Sequence, residues 1–400
     1  MRILQLCNKA PYPANDGSSI AIYNMAMGFI SAGIDLHLLT VNTKKHFKPD
    51  DQVPQDFRAK SNYISVYRDT NVEPLGAFMN LFSSESYFVS RFHFQDFEGA
   101  LIRKLQATQF DIIQLEGLFM GVYIPVIKKY SKAKIVLRAH NVEHLIWQRH
   151  LQNEKPSLKK KYLAMQTKRL KRFEGKVLNE VDAVVTITDI DREMFEKEGL
   201  KKPFYNCITG VDVASYKTGS AVKKPKTLFH FASMDWMPNQ EAVRWFLANC
   251  WGDVLKAVPD AKLVIAGRHM PQEFIKMSEP NVLVIETVND AKAFYQEHEL
   301  MLVPLLSGSG LRIKIIEGMA YGKAIVSTSI GAEGIKCTNG KNIIIADSAK
   351  DFSAAVIDLL QHPEKVKNLE TEARVFAENE LDNSKVVKGL VNFYNTLLHV

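Results

Sequence analysis

Short apolar runs punctuated by turn residues recur along the chain: ILQLC at 3–7, then 35–41, 110–115, 134–137, 183–187, 227–231, 261–266, 282–285, 300–306, 324–327 and 342–346. Between most of them lie segments whose apolar positions return every three or four residues, at 19–32, 120–129, 155–176, 189–199, 241–256, 311–321 and 351–360. A strand covered on both faces needs a continuous apolar run, and a helix with one buried face needs the longer period. The alternation predicts an α/β chain of parallel strands covered by helices. Residues 44–98 follow it less well. A strand around 63–67 is expected there, and the aromatic run FMNLFSSESYFVSRFHF at 78–94 reads either as packing or as a binding stripe. A last helix at 383–398 carries Val386, Val387, Leu390, Phe393, Tyr394 and Leu397 on one face, which suits either a return onto the first domain or a dimer surface.

At 400 residues the chain exceeds one ordinary core. The polar stretch SYKTGSAVKKPK at 215–226 reads as a linker, with the boundary near 212–225. The expected division is 1–212, 213–378 and a closing segment 379–400.

The chemistry gathers where strands end. The run 300–306 breaks into Ser307, Gly308, Ser309 and Gly310, and a helical pattern follows. Small residues let backbone N–H groups approach an anion, and a helix N-terminus favours one. Arg312 and Lys314 add positive charge beside that turn, while Glu317 lies one helical turn from Lys314. The turn is thus either an anion cradle, with Gly310 and Leu311 among its backbone donors, or a plain βα closure. Glu317 either pairs with Lys314 or accepts hydrogen bonds from vicinal hydroxyls. Arg268 follows another strand and Gly267, at a place suited to a phosphate or base contact. Glu333 in the turn GAEG is either a sugar contact or a local cap. In the first half, successive strands deliver Glu116 and His140 to one rim. Glu116 and Glu143 either line that rim for a ligand or pair with Arg138.

Composition excludes some classes. With 46% hydrophobic and 24% charged residues the chain is neither disordered nor membrane-spanning in character, and no apolar window reaches the length of about 18 residues that a spanning helix requires. Cys7, Cys207, Cys250 and Cys337 are scattered, which predicts neither a zinc site nor a disulfide framework and points to a reducing cytoplasm. The net charge of +7 favours anionic partners. Much of it comes from residues 155–176, with nine Lys or Arg and one Glu. That helix is a solvated face, a site for an anionic membrane surface, or a binder of anionic polymers. Nucleic acid is not expected, because no recognisable nucleic-acid motif accompanies the basic run.

The segment GSGLRIKIIEGMAYGKAIVST at 308–328 resembles the nucleotide-sugar-binding segment of retaining glycosyltransferases of family 4, and the resemblance extends over almost the whole chain. It implies a GT-B architecture with two facing Rossmann-like domains, the last helix returning to the first. It also implies transfer of a sugar from a nucleotide-diphosphate sugar to a glycan or lipid-linked acceptor, with no metal and no separate cofactor. By that resemblance Arg312 and Lys314 contact the donor diphosphate, Glu317 holds the ribose, and His140 in AHNVEH sits beside the transferred sugar. The loop at 8–18 resembles the glycine loop near the donor phosphates, which makes Gly17 a backbone contact and Asp16 its acceptor-side neighbour, and the resemblance makes Glu116 and Glu143 acceptor-side candidates as well. Two departures stand out. Ser309 occupies the place of a second Glu eight residues before Glu317, and Met234 and Asn239 stand where an Arg and a Lys are usual. A nucleotide-sugar epimerase and a noncatalytic carbohydrate- or membrane-binding partner are the alternatives, and oligomeric state is not encoded in these patterns.

Overall fold

In the first strand, β1 (Arg2–Cys7), neighbouring residues enter different layers. Leu4 and Leu6 join a cluster with Phe97, Leu101, Leu115 and Tyr123 on one face of the sheet. Ile3 and Cys7 pack on the other face against Ile22, Met25 and Phe29 of the helix Gly17–Ser31 and against Val387, Leu390 and Tyr394 of the last helix. Both faces are therefore dry, which explains a run that is apolar except at Gln5. The computed structural model describes residues 1–14, 16–44, 47–71, 73–218, 223–308 and 310–399.

The chain forms two compact units, Met1–Thr209 with Val386–Val400, and Gly210–Lys385. In the first, β1 is joined by β2 (Asp35–Thr43), β3 (Ile64–Arg68), β4 (Ile112–Glu116), β5 (Lys134–Ala139), β6 (Ala183–Thr186) and β7 (Phe204–Asn206). They form a parallel sheet in the order β3-β2-β1-β4-β5-β6-β7. The second contains β8 (Thr227–Phe231), β9 (Lys262–Ala266), β10 (Val282–Ile285), β11 (Leu300–Val303), β12 (Ala324–Ser327) and β13 (Ile344–Ile345), parallel and ordered β10-β9-β8-β11-β12-β13. Each order reverses direction once, between β1 and β4 and between β8 and β11. Loops leave such a point on opposite sides and open a crevice beyond the strand ends.

The structure departs from the sequence expectations where helices are short or tertiary. The region 44–98 contains the small helices Gln55–Lys60, Pro74–Met79 and Tyr87–Ser90, and the helix Gln95–Ala107 follows it. A helix Glu143–Asn153, with no cap signal of its own, precedes the basic helix Leu158–Glu180. The helix expected at 241–256 begins earlier, at Met237, and passes through a π-helical turn Leu247–Trp251. The units divide at Thr209/Gly210 because Val211 is bridged to Asp382 and its N–H donates to Leu381 O at 2.9 Å, which ties 210–212 to the second unit.

The last helix is fastened to the first sheet by more than apolar packing. Tyr394, fully buried, donates its hydroxyl to Gln114 Oε1. Tyr394→Phe leaves that acceptor unsatisfied and should cost the first unit about 1–3 kcal/mol. Urea unfolding, with hydrogen exchange of the Asn383–Leu398 amides, measures this. Unchanged exchange and an unchanged midpoint would show that the phenol contributes only its ring.

Candidate active site

The register of the first sheet sets Cys7 beside Glu116 and Glu116 beside Arg138. Glu116 is fully buried, and both oxygens are occupied. Oε1 accepts from Gln5 Nε2 at 2.6 Å and Gln114 Nε2 at 2.5 Å, and Oε2 from Arg138 Nη1 at 3.1 Å and His140 Nε2 at 2.6 Å. Burial raises a carboxyl pKa, but the Arg138 charge and the His140 bond outweigh it and hold Glu116 at about 2. An ionised carboxylate only accepts, so His140 Nε2 must carry a proton. His140 itself lies just past β5 with 11% of its side chain exposed. Glu116 was expected on the acceptor side or as the partner of Arg138. The second reading holds: sealed from solvent, it acts through His140.

The segment after His140 is anchored from a distance. The helix Glu143–Asn153 has no side-chain cap at Val142. Glu174 of the basic helix supplies the missing acceptor, taking the N–H groups of Glu143 at 2.9 Å and His144 at 3.3 Å, and it also bonds the His144 ring. A carboxylate at a helix N-terminus satisfies orphan donors and meets the positive end of the dipole. Burial, then the Glu174 charge, pushes the Glu143 carboxyl up to about 7. Asp16, expected as an acceptor-side residue, caps the helix Gly17–Ser31 by accepting Ser19 N–H at 3.2 Å and pairs with Lys9. Gly17 opens that helix, and among the described residues a Cβ there would meet open space.

In the second unit the loops after β8 and β11 flank the crevice. Gly267, at φ +144 just past β9, lets the loops after β8 and β9 close up, since a Cβ there would lie 1.6 Å from Ala232 O. Asn239 does not cap the helix Met237–Phe246, whose N-cap is Trp236. It is buried, donates to Ser233 O at 2.8 Å and accepts from Lys314 Nζ at 2.7 Å. Met234, its companion departure from the family pattern, is a core residue. Lys314 is enclosed by protein although part of its surface reaches solvent. Burial, then the Arg312 charge, lowers its pKa to about 7. Arg312 is itself buried, donates to Gly310 O and lies 5.2 Å over the Trp236 ring. A Cβ on Gly308, at φ +115, would strike that ring at 2.8 Å, so the glycine makes room for the stack.

Lys314 and Glu317 thus take separate partners. Tyr216 OH approaches Glu317 Oε1 at 3.4 Å, and burial raises the Glu317 carboxyl to about 7. Tyr216 and Tyr295 pack on Tyr321 beside it, with ring centroids 4.7 and 4.6 Å apart. Glu333 is part-buried near enough for its charge to act on Arg312. Arg268 is exposed at the end of β9, its carbonyl held by Met234 N–H at 2.8 Å. Leu311 is part-buried in the turn, and Ser309 lies outside the described residues. The structure therefore gathers Gly310, Leu311, Arg312, Lys314, Glu317 and Glu333 in the second unit, and Glu116, His140 and Glu143 in the first. Sequence reasoning missed Trp236, Asn239, Tyr216 and Tyr295 as neighbours, because nothing in their spacing ties them to residues 310–317, and it passed over Tyr321, which stands one helical turn from Glu317.

Residues 15–214 match the family described as Glycosyltransferase Family 4, and residues 225–362 the one described as Glycosyl transferases group 1. The chain belongs to these glycosyltransferases and is an enzyme of GT-B type. An uncharacterized 44.6 kDa protein in the cps region of Klebsiella pneumoniae is 22% identical over 97% of this chain and 98% of its own. Among solved structures, sucrose-phosphate synthase from Thermosynechococcus elongatus superposes with a TM-score of 0.71 at 12% identity, covering 100% of both chains. The Anabaena protein HepE in complex with UDP-glucose does so at 0.66 and 13%, covering 99% of this chain and 100% of that one. The pneumococcal O-GlcNAc transferase GtfA in complex with UDP and GlcNAc gives 0.64 at 12%, covering 100% and 99%.

Glu116→Gln leaves the Arg138 guanidinium buried without its counter-charge, and the first unit should lose about 3–5 kcal/mol. The folded carboxyl, held at about 2 against an ordinary 4.5, contributes fully above 4.5, and that contribution fades as pH falls towards 2. Urea titrations at neutral and acid pH should show the gap between wild type and variant shrinking over that window. A gap independent of pH would sink the electrostatic account.

Proposed function

We propose that the enzyme transfers a sugar from a nucleotide-diphosphate sugar to a hydroxyl of a glycan or lipid-linked acceptor, with retention of anomeric configuration. The observation that carries the reading is the convergence of Arg312, Lys314 and Glu317 at the reversal point of the second sheet. Two cations lie next to an acid there, and burial has pushed Lys314 and Glu317 away from their ordinary charge states. A diphosphate returns Lys314 to its charged form, and ribose hydroxyls donate to ionised Glu317.

As the bond from the anomeric carbon to the β-phosphate oxygen breaks, its electron pair passes to that oxygen. Arg312 and Lys314 meet the growing charge. The acceptor oxygen bonds to the anomeric carbon on the face the phosphate leaves, and its proton passes to the departing phosphate. His140, oriented by Glu116, serves the sugar and the transition state. Protein cations do the work of a metal, so transfer is metal-independent. The four free thiols suit a reducing cytoplasm.

Arg312→Ala and Lys314→Ala should fold and slow transfer at least about tenfold at saturating donor. Unchanged turnover in both would remove them from the chemistry. A chelator should leave wild-type turnover unaltered, and its loss, restored by a divalent ion, would show a metal requirement. Affinity for a nucleoside diphosphate should peak near neutral pH. The Lys314 share is present below its free pKa of about 7 and is lost as pH rises, whereas the Glu317 share is present above about 7 and is lost as pH falls. Calorimetric titrations should find Lys314→Met without the alkaline limb and Glu317→Gln without the acid one.

A further inference from the structure

The basic helix Leu158–Glu180 cannot insert its own apolar side chains into anything. Leu163 and Leu170 belong to the core, and Tyr162 and Phe173 pack against it; Leu158 alone stands out, 83% exposed. Exposed apolar residues occur instead on a neighbouring segment. Leu75 (74%), Phe78 (57%), Met79 (61%), Leu81 (40%) and Phe82 (81%) crowd the short helices Pro74–Met79 and Asn80–Phe82. Single exposed apolar side chains are ordinary, but five within eight positions form a patch with a use.

This segment is fastened to the basic helix at its base. Arg169 donates to the carbonyls of Asn80 at 2.9 Å and of Leu81 and Glu85 at 3.3 Å. Gln166 donates to Asn80 Oδ1 and accepts from Tyr87 N–H, both at 2.8 Å. Lys161, Lys168 and Arg172 follow one stripe of the helix, all exposed, and among the described residues none has an acidic partner. Just past the segment, against the helix, lies a cavity of about 400 Å³ lined by Arg169, Arg172 and Lys176, by Ser84, Ser86 and Ser90, and by the carboxyl-bearing Glu85 and Glu180. Cations and hydroxyls thus adjoin an apolar projection.

We propose that residues 74–82 and the basic face of Leu158–Glu180 form one docking surface for an anionic phospholipid membrane, with the headgroups against the cations and the apolar side chains at the acyl boundary. Charge complementarity selects this occupant. A second copy of the chain would set two basic stripes against each other, and like charges oppose that. Among the described residues no helix is long and apolar enough to cross a membrane, so the attachment is peripheral.

Co-sedimentation of the full chain with phosphatidylcholine vesicles, with and without phosphatidylglycerol, tests this at low and high salt. Wild type should pellet with the anionic vesicles and keep a residual bound share at high salt, which screens the cations but not the apolar contacts. Leu75→Ser/Phe78→Ser/Phe82→Ser should lose that share and bind at least about tenfold more weakly at low salt. Lys161→Gln/Lys168→Gln/Arg172→Gln should lose the preference for anionic lipid. Circular dichroism melts matching wild type establish that both variants fold. No binding of wild type to anionic vesicles at low salt overturns the proposal, and so does wild-type binding by the serine variant. So does a concentration-dependent dimer, seen by light scattering, that the serine variant dissolves while no vesicle is bound. Neither donor nor acceptor enters the measurement, so its failure leaves the transfer reading intact.

Discussion

Glu116 carries its charge without solvent because β1, β4 and β5 and the residue beyond β5 direct four donors at its two oxygens. Taking a carboxylate out of water costs several kcal/mol, by order of magnitude, and here four donors, one of them the Arg138 guanidinium through Nη1, offset it. That requirement fixes more than one side chain. Shifting β1, β4 or β5 by one residue would turn Gln5, Glu116 or Arg138 to the opposite face of the sheet, so the polar set and the register specify each other. Gln114 extends the network to Tyr394 and hence to the last helix. At its other end, His140 is left with one orientation, its Nε2 turned to Glu116.

The second unit treats buried charge in the opposite way. Glu116 and Glu317 are both desolvated carboxyls, yet one is held at about 2 and the other raised to about 7. The difference is the company each keeps: four donors and an adjacent cation for Glu116, a single hydroxyl at 3.4 Å for Glu317. Lys314, with a neutral amide as its partner and Arg312 as a like-charged neighbour, is unsatisfied in the same sense. A site of this kind is stabilised by a ligand that supplies what the protein withholds, here negative charge for the lysine and hydroxyl donors for the glutamate.

The helix Leu158–Glu180 joins two tasks through its two sides. Its buried side contributes Glu174, which caps the helix following His140, and its outer side carries the unpaired cations beside residues 74–82. One rigid element of six turns or so thus bears both the support for the segment after His140 and the proposed docking surface.

The alternation of strand and helix was legible in the residues because local covering leaves a local trace: a strand dry on both faces is mostly apolar, as ILQLC is apart from Gln5. The turn before Arg312, and the placing of Arg312, Lys314 and Glu317 on one helix start, were legible for the same reason, since glycine and helical spacing act within a few residues. The partners of the charged groups were not. Gln5 and Glu116 are 111 positions apart, and Gln114 and Tyr394 are 280 apart. Their meeting depends on strand order and register, which no local pattern records. The same limit hid the role of Asn239, the tyrosines around Glu317, and the burial of the basic helix's own apolar residues while residues 74–82 stayed outside. Periodicity states that a face is covered; only the tertiary structure decides by what.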